Sequence, residues 1–399
     1  MKRLFVAQGS LHLIAAFAAG ETTSSGGAVP RPGDVVLIHG LNPEPAQQTA
    51  WRSSLETAIA RLGSFEAVIT LDRPAVRSLE LAARRGGWTA AATRLRAILG
   101  DATFDELYIQ KNAEWFNHLI RATYADARTV CTGDGLGMNY SDSYWLPQGE
   151  TPRALPPRRG IARFGERVFD GLRRVSGGGA VEPEPPPFST HCYLLPNLFD
   201  DRVDDPVIPE LATIERLAER WLGALDRPSF EGDLSEDRET LALVTSCFAE
   251  AERCSPEKEI EAYTTRLLEL DPERRATWLV QPHPRDRLAK TEALVARLRR
   301  ENDHVVLHDD PSARYLPFEL AVWRQWRGSD APRRFLTFSS ACLGLELLCG
   351  EETTVGFGEE LVRQTFHPSF VERRLQHERD LLAALETVRT RRAAKEVSS

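Results

Sequence analysis

The chain has 399 residues, a net charge of −8 and 27% charged residues. That length exceeds one ordinary core and fits two domains. The negative balance, with no long basic run, excludes a nucleic-acid footprint and leaves no nucleic-acid partner. Six cysteines at 131, 192, 247, 254, 342 and 349 form no CxxC pair. This argues against a zinc cluster and for a reducing, cytoplasmic setting.

The opening Met1-Lys2-Arg3 and LFVAQGSLHLIAAFAAG imitate a secretory signal, but Gln8, Gly9, Ser10 and His12 interrupt the apolar run. The segment reads better as strand Leu4–Ala7, a turn at Gln8–Ser10, and a helix from Leu11. Further strands are predicted at Val35–Ile38, Ala67–Thr70, Leu107–Gln110 and Thr129–Thr132, with helices near Gln47–Arg61, Leu79–Leu99 and Ala113–Ala125. This rhythm predicts a parallel sheet covered on both faces. Residues 141–190, rich in Pro, Gly and Arg, read as long loops. An amphipathic helix follows, with Ile214, Leu217, Ala218, Trp221 and Leu222 on one face. Polar Asp226–Glu239 reads as a linker.

The rhythm then repeats. Strands are predicted at Leu241–Thr245, Thr277–Val280, His304–Leu307 and Phe335–Phe338. Helices are predicted at Pro256–Leu268, Leu288–Glu301, Phe318–Gln325 and Ala341–Leu348. The expected organisation is an N-terminal domain over 1–225, a C-terminal domain over 240–370, and a charged helix over 371–399 crossing back over the first domain. Ligands of such sheets bind beyond the carboxyl ends of the strands.

Four segments could carry chemistry there. In Gln281-Pro-His-Pro-Arg-Asp286, two prolines fix the backbone around His283. The histidine can donate to a leaving phosphate, and Arg285 supplies a permanent positive charge. In Phe338-Ser339-Ser340, a strand ends and a helix begins, so the hydroxyls can cap the helix or help its amides hold an anion. Thr132-Gly133-Asp134-Gly135-Leu136-Gly137 offers glycines for close ligand approach and one carboxylate, Asp134, as general base. It is not GxGxxG. In Leu316-Pro317-Phe318-Glu319, the acid sits at a helix start and could bind a ribose. Val35–Gly40 imitates the oxyanion strand of an α/β-hydrolase, but no GxSxG follows.

Together these segments resemble the bacterial sialyltransferase and polysialyltransferase superfamily. LFVAQGSLHLI is similar to its first strand and turn. Tyr108–Asn112 with Trp115 and Asn117 resembles the segment before its acidic motif, and GDGLGMNY resembles that (D/E)(D/E)G motif. QPHPRD resembles its HP motif, Leu316–Glu319 its ribose-binding segment, and Phe338–Ser340 its Ser/Thr motif. The ordered set runs from Leu4 to Ser340.

The resemblance implies the GT-B fold: α/β, two Rossmann-like domains facing a central cleft. It implies inverting, metal-independent transfer of sialic acid, or a related 2-keto acid sugar such as Kdo, from a CMP donor. The acceptor would be a glycan or glycolipid hydroxyl, handled at the inner face of the cytoplasmic membrane. No cofactor and no metal are expected, the CMP-sugar being a substrate. Asp134 and His283 would be catalytic. Arg285, Glu319, Ser339, Ser340 and Gly135 would hold the donor, with Gln8, Ser10 and Asn112 on the acceptor side. One departure stands out: Gly133 occupies the position that supplies the family's base, so either Asp134 takes over, or the base lies elsewhere, at a residue such as His39 or Glu114, or the protein is not a conventional sialyltransferase.

Overall fold

The computed structural model describes residues 1–24, 27–39, 45–110, 115–133, 186–194, 206–223, 238–308, 318–319, 322 and 332–398. Asp134, Gly135, Asn112, Glu114, most of the predicted helix Phe318–Gln325 and most of the predicted linker lie outside these.

Six parallel strands build the first sheet: β1 (Arg3–Ala7), β2 (Val35–Ile38), β3 (Ala67–Thr70), β4 (Glu106–Gln110), β5 (Arg128–Gly133) and β6 (Thr190–Tyr193). Their order is β3-β2-β1-β4-β5-β6, with the reversal between β1 and β4. Alternate residues feed two separate cores. Phe5, Val36 and Tyr108 pack under α1 (Ser10–Thr23), α2 (Pro45–Leu62) and α5 (Leu211–Gly223). Leu4, Val35 and Leu107 pack under α3 (Arg73–Ile98) and α4 (Trp115–Thr123). A period of two with both faces buried is what a covered parallel sheet requires. Helix α1 is buried from Leu13 to Gly20, so the signal-like segment belongs to the core. Helix α3 starts earlier than the sequence predicts, capped by Asp72, and breaks at Gly87 with φ +78°. Strand β6 lies at the end of the stretch read as loops.

The second sheet is also parallel: β7 (Thr240–Val244), β8 (Thr277–Gln281), β9 (Val305–Leu307), β10 (Arg333–Thr337) and β11 (Thr353–Val355), in the order β11-β10-β7-β8-β9. Leu241, Trp278 and Leu336 point into one core, Ala242, Leu279 and Phe335 into the other. Both sheets therefore have the doubly wound, Rossmann-like arrangement that GT-B requires. Helix α6 (Pro256–Leu270) begins at an N-cap, Ser255, whose hydroxyl accepts from the Lys258 amide. Helix α7 spans Leu288–Leu298, and α8 (Ala341–Gly344) runs on as a π-turn, Leu345–Cys349.

A short helix, α9 (Glu359–Thr365), precedes the long α10 (Pro368–Ser398). The sequence reading sends α10 back over the first domain, but its side chains dock on the second. Arg374 Nη1 donates to Phe338 O at 2.9 Å. The Glu378 carboxylate accepts from the amides of Phe357 and Gly358, and Arg389 pairs with Glu346. Among the described residues, no helix is long and apolar enough to cross a membrane.

Candidate functional site

Strand β7 has β8 and β10 as neighbours, so the carboxyl ends of these three strands meet at the switch point of the second sheet, where such folds bind ligands. They bring together Thr245–Cys247, Gln281–His283 and Phe338–Ser340.

His283 is held from three sides. Its amide donates to Thr245 Oγ1 at 2.8 Å and to Asp286 Oδ2 at 3.1 Å, while Thr245 Oγ1 donates to the same carboxylate oxygen at 2.6 Å. The Arg285 amide donates to His283 Nδ1 at 3.0 Å. With Nδ1 accepting, the ring proton sits on Nε2, the nitrogen with which the ring can serve a bound anion. Burial opposes a charge on the ring, but Cys247 and Asp286 more than offset it and raise the His283 pKa. An imidazolium would lose the Arg285 bond, so the neutral Nε2–H ring is the form that satisfies every backbone contact.

Beneath the loop lies a buried charge network. Lys290 Nζ reaches Asp286 Oδ1 at 2.8 Å, Glu250 Oε2 at 2.8 Å and Glu259 Oε2 at 3.1 Å. Burial works against the lysine's charge, yet these carboxylates hold its pKa well above the ordinary value. Glu259 in turn accepts from the amides of Phe248 and Ala249 and, at 2.6 Å, from the Tyr263 hydroxyl. The Tyr263 oxygen accepts the Ser246 amide at 2.8 Å. Every amide of the Ser246–Ala249 turn but that of Cys247 is thereby tied to a buried side chain. Removing one member would leave an uncompensated buried charge, so the network fixes both loops that end at the crevice.

The β10 end is held differently. Arg374 bonds Phe338 O, pairs with Glu378 and lies 4.8 Å from the Phe248 ring centroid. His377 Nδ1 sits 3.2 Å from Arg374 Nη1. Arg253 lies near Cys247, Arg373 and Arg374; burial, together with the two arginines, pulls its pKa below the usual arginine value. Arg253 therefore stands near the end of β7 as a cation, while Arg374 is paired with Glu378. Ser339 Oγ accepts the Ala341 amide only at 3.4 Å, and Ser340 makes no side-chain cap, so capping alone does not account for the two hydroxyls.

Glu319 is 8% exposed and packs on the same helix: a Cβ at Gly344 would stand 2.8 Å from its Cγ. The structure therefore gathers His283, Arg285, Ser339, Ser340 and Glu319 in one unit. Gln8, at the carboxyl end of β1, accepts from Arg285 Nη2 at 3.4 Å, which links the strand ends of the two sheets. Ser10 is buried at the start of α1, and His39 is buried beside Phe116. Gly133 closes β5 in register with Tyr193. Sequence reasoning missed Thr245, Cys247, Arg253, Asp286, Lys290, Glu259 and Arg374. The polar Thr-Ser-Cys run directly after strand β7 was the available signal.

A cavity of about 480 Å³ lies elsewhere, between α6 and α9, lined by Lys258, Arg266, Phe357 and Glu359 among others. None of the sequence-predicted residues lines it. Among the described residues no group of three or more His, Cys, Asp or Glu could hold a metal ion.

No protein-family profile matches the chain, and no curated protein matches it. Among solved structures, the calicheamicin glycosyltransferase CalG4 aligns over 99% of this chain and 96% of its own, at 14% identity and TM-score 0.40. UDP-GlcNAc 2-epimerase from Neisseria meningitidis, bound to UDP-GlcNAc, aligns over 91% and 85%, at 12% identity and TM-score 0.49. The glycosyltransferase of kitacinnamycin aligns over 99% and 98%, at 14% identity and TM-score 0.38. Likenesses this faint leave strand order and sheet direction as the warrant for the fold.

Proposed function

We propose that the protein is an inverting glycosyltransferase that binds a nucleotide-sugar donor in the crevice of its second Rossmann-like unit. One observation carries this: the adjacent ends of β7, β8 and β10 present a backbone-locked histidine and two hydroxyls outside any strong cap, with Arg285 and Arg253 nearby. Those are the groups that stabilise a departing phosphate. An acceptor hydroxyl would attack the anomeric carbon while the nucleotide leaves, with His283 donating through Nε2 to its phosphate. Ser339, Ser340 and Arg285 would bind the phosphate and Glu319 the ribose. Asp134 is the proposed base, with Gly135 serving the donor and Gln8, Ser10 and Asn112 the acceptor.

The motif set favours a CMP-activated 2-keto acid sugar and a glycan or glycolipid acceptor at the inner membrane face. A UDP-sugar is the second reading, since Arg285 and Arg253, both near Cys247 at the end of β7, offer more than one positive charge. Turnover of CMP-sialic acid and of UDP-sugars by the native protein, His283→Ala, Asp134→Ala and Gly133→Asp tests the proposal. Loss of turnover in the first two variants supports it. Turnover untouched by both overturns the site. Activity gained only in Gly133→Asp would mark the native protein as a non-catalytic nucleotide binder.

A further inference from the structure

Helix α3 carries six arginines and one acid, Glu80, in a chain whose net charge is −8. Leu79, Ala83, Trp88, Ala91 and Leu95 turn its inner side to the first sheet, and the break at Gly87 leaves that side buried in both halves. The arginines lie elsewhere on the helix: Arg73, Arg77, Arg85, Arg94 and Arg96 are all exposed.

Internal partners do not account for them. Arg84 pairs with Glu80 at 2.7 Å, and Arg96 Nη2 donates to the Thr123 carbonyl at 2.9 Å. Among the described residues, no hydrogen bond or ion pair engages the side chain of Arg73, Arg77 or Arg94. Arg73 opens the helix, Arg77 follows one turn later, and the first turn holds no acid. The helix field at that end favours anions and disfavours cations. An external anion there would offset the cost. Because α3 begins just after β3 ends at Thr70, the Arg73–Arg77 end stands at the carboxyl edge of the first sheet, the edge at which such folds bind ligands.

Length identifies the kind of anion. Arg73 to Arg85 covers about 18 Å of helix axis, and Arg94 lies beyond the break. One phosphate or carboxylate cannot span that distance. A surface densely set with phosphates can, and clustered basic side chains are drawn to such surfaces within about a Debye length. Among the described residues of α3 no large apolar side chain is exposed, so binding would stay at the headgroups and be reversible.

We propose that the outer face of α3 is a docking surface for an anionic lipid bilayer, which would hold the carboxyl edge of the first sheet beside the headgroups. Charge, exposure and position carry the docking itself. Delivery of a lipid-borne acceptor to that edge rests on the glycosyltransferase reading.

The test sediments the native full-length protein with vesicles of phosphatidylcholine alone and of phosphatidylcholine mixed equally with phosphatidylglycerol. Binding should appear only with the anionic vesicles, and should weaken about tenfold or more when sodium chloride rises from about 0.1 M to about 0.5 M. Arg73→Gln/Arg77→Gln/Arg94→Gln should weaken it about a hundredfold, near five-fold per arginine, with a thermal midpoint no lower than that of the native protein. Arg275→Gln/Arg299→Gln/Arg300→Gln removes the same charge from exposed positions of the second unit and should leave binding near the native level. Equal loss in the two triple variants would reduce the effect to net charge and overturn the α3 face, as would equal binding to both kinds of vesicle. Retention on immobilised polyglutamate without vesicle binding would assign the face to an acidic protein and overturn the bilayer. Vesicle binding as expected, with no binding of CMP or UDP, would uphold the surface while removing the glycosyltransferase reading. Nucleotide binding without vesicle binding would do the reverse.

Discussion

The first Rossmann-like unit buries an ion pair at the amino ends of its strands, whereas the second carries an ion network beneath the carboxyl ends of its own. In the first unit, Arg3 at the start of β1 and Asp34 just before β2 are both fully buried. They form a two-pronged pair at 2.7 and 2.6 Å, and Arg3 also donates to the Ala28 carbonyl. This staples the α1–β2 connection at the amino ends of the strands, away from any ligand edge. In the second unit, Asp286, Lys290 and Glu259 lie beneath the carboxyl ends. Buried charge at the amino edge secures a scaffold; buried charge at the carboxyl edge fixes a site. The same energetic cost of desolvation serves two different ends.

The comparison can be broken by removing one charge from each end. Asp34→Ala should cost about 3–5 kcal/mol in denaturant unfolding by stranding Arg3, with nucleotide affinity per folded molecule unchanged. Lys290→Met should cost about as much and also weaken nucleotide binding, because both crevice loops hang from that network. Its pH dependence has a definite sign. Burial already raises the Glu259 pKa, and without the lysine that rise grows. The folded state then holds a proton the unfolded chain has lost, so stability is fully present in acid and declines as pH rises through the raised value. A Lys290→Met protein whose unfolding free energy increased from pH 5 to pH 8 would contradict this.

Smaller effects sharpen the same contrast. His283→Ala should lower turnover roughly 10²–10⁴-fold, the range for a lost proton donor, while its thermal midpoint stays near that of the native protein. Ser255→Ala should cost only about 1 kcal/mol by uncapping α6, with turnover intact, since the Ser255 hydroxyl is engaged by the Lys258 amide and not by a proposed site residue.

Much of this architecture was legible in the residues. Strand apolarity, the prolines around His283 and the Ser339-Ser340 step mark where strands end. Short or oddly flanked strands were not legible: β6 follows a proline-rich run and β11 has three residues. The supporting network was hidden for another reason. Asp286 and Lys290 share a helical spacing that reads as a solvated ion pair, and Glu259 looks like an ordinary first-turn acid of α6. Arg374 comes from a charged helix that the sequence reading sends to the first domain. Hydrophobic periodicity locates elements, but it does not report which distant polar groups meet.

Calorimetric titration of the native protein and His283→Ala/Ser339→Ala with CMP and with UDP tests the central claim most directly. The account predicts that at least one nucleotide binds the native protein, and that the double variant binds it at least tenfold more weakly, about 1.4 kcal/mol, while remaining folded. Equal affinity in both proteins, for whichever nucleotide binds, would contradict the assignment of the second unit's crevice as the donor site.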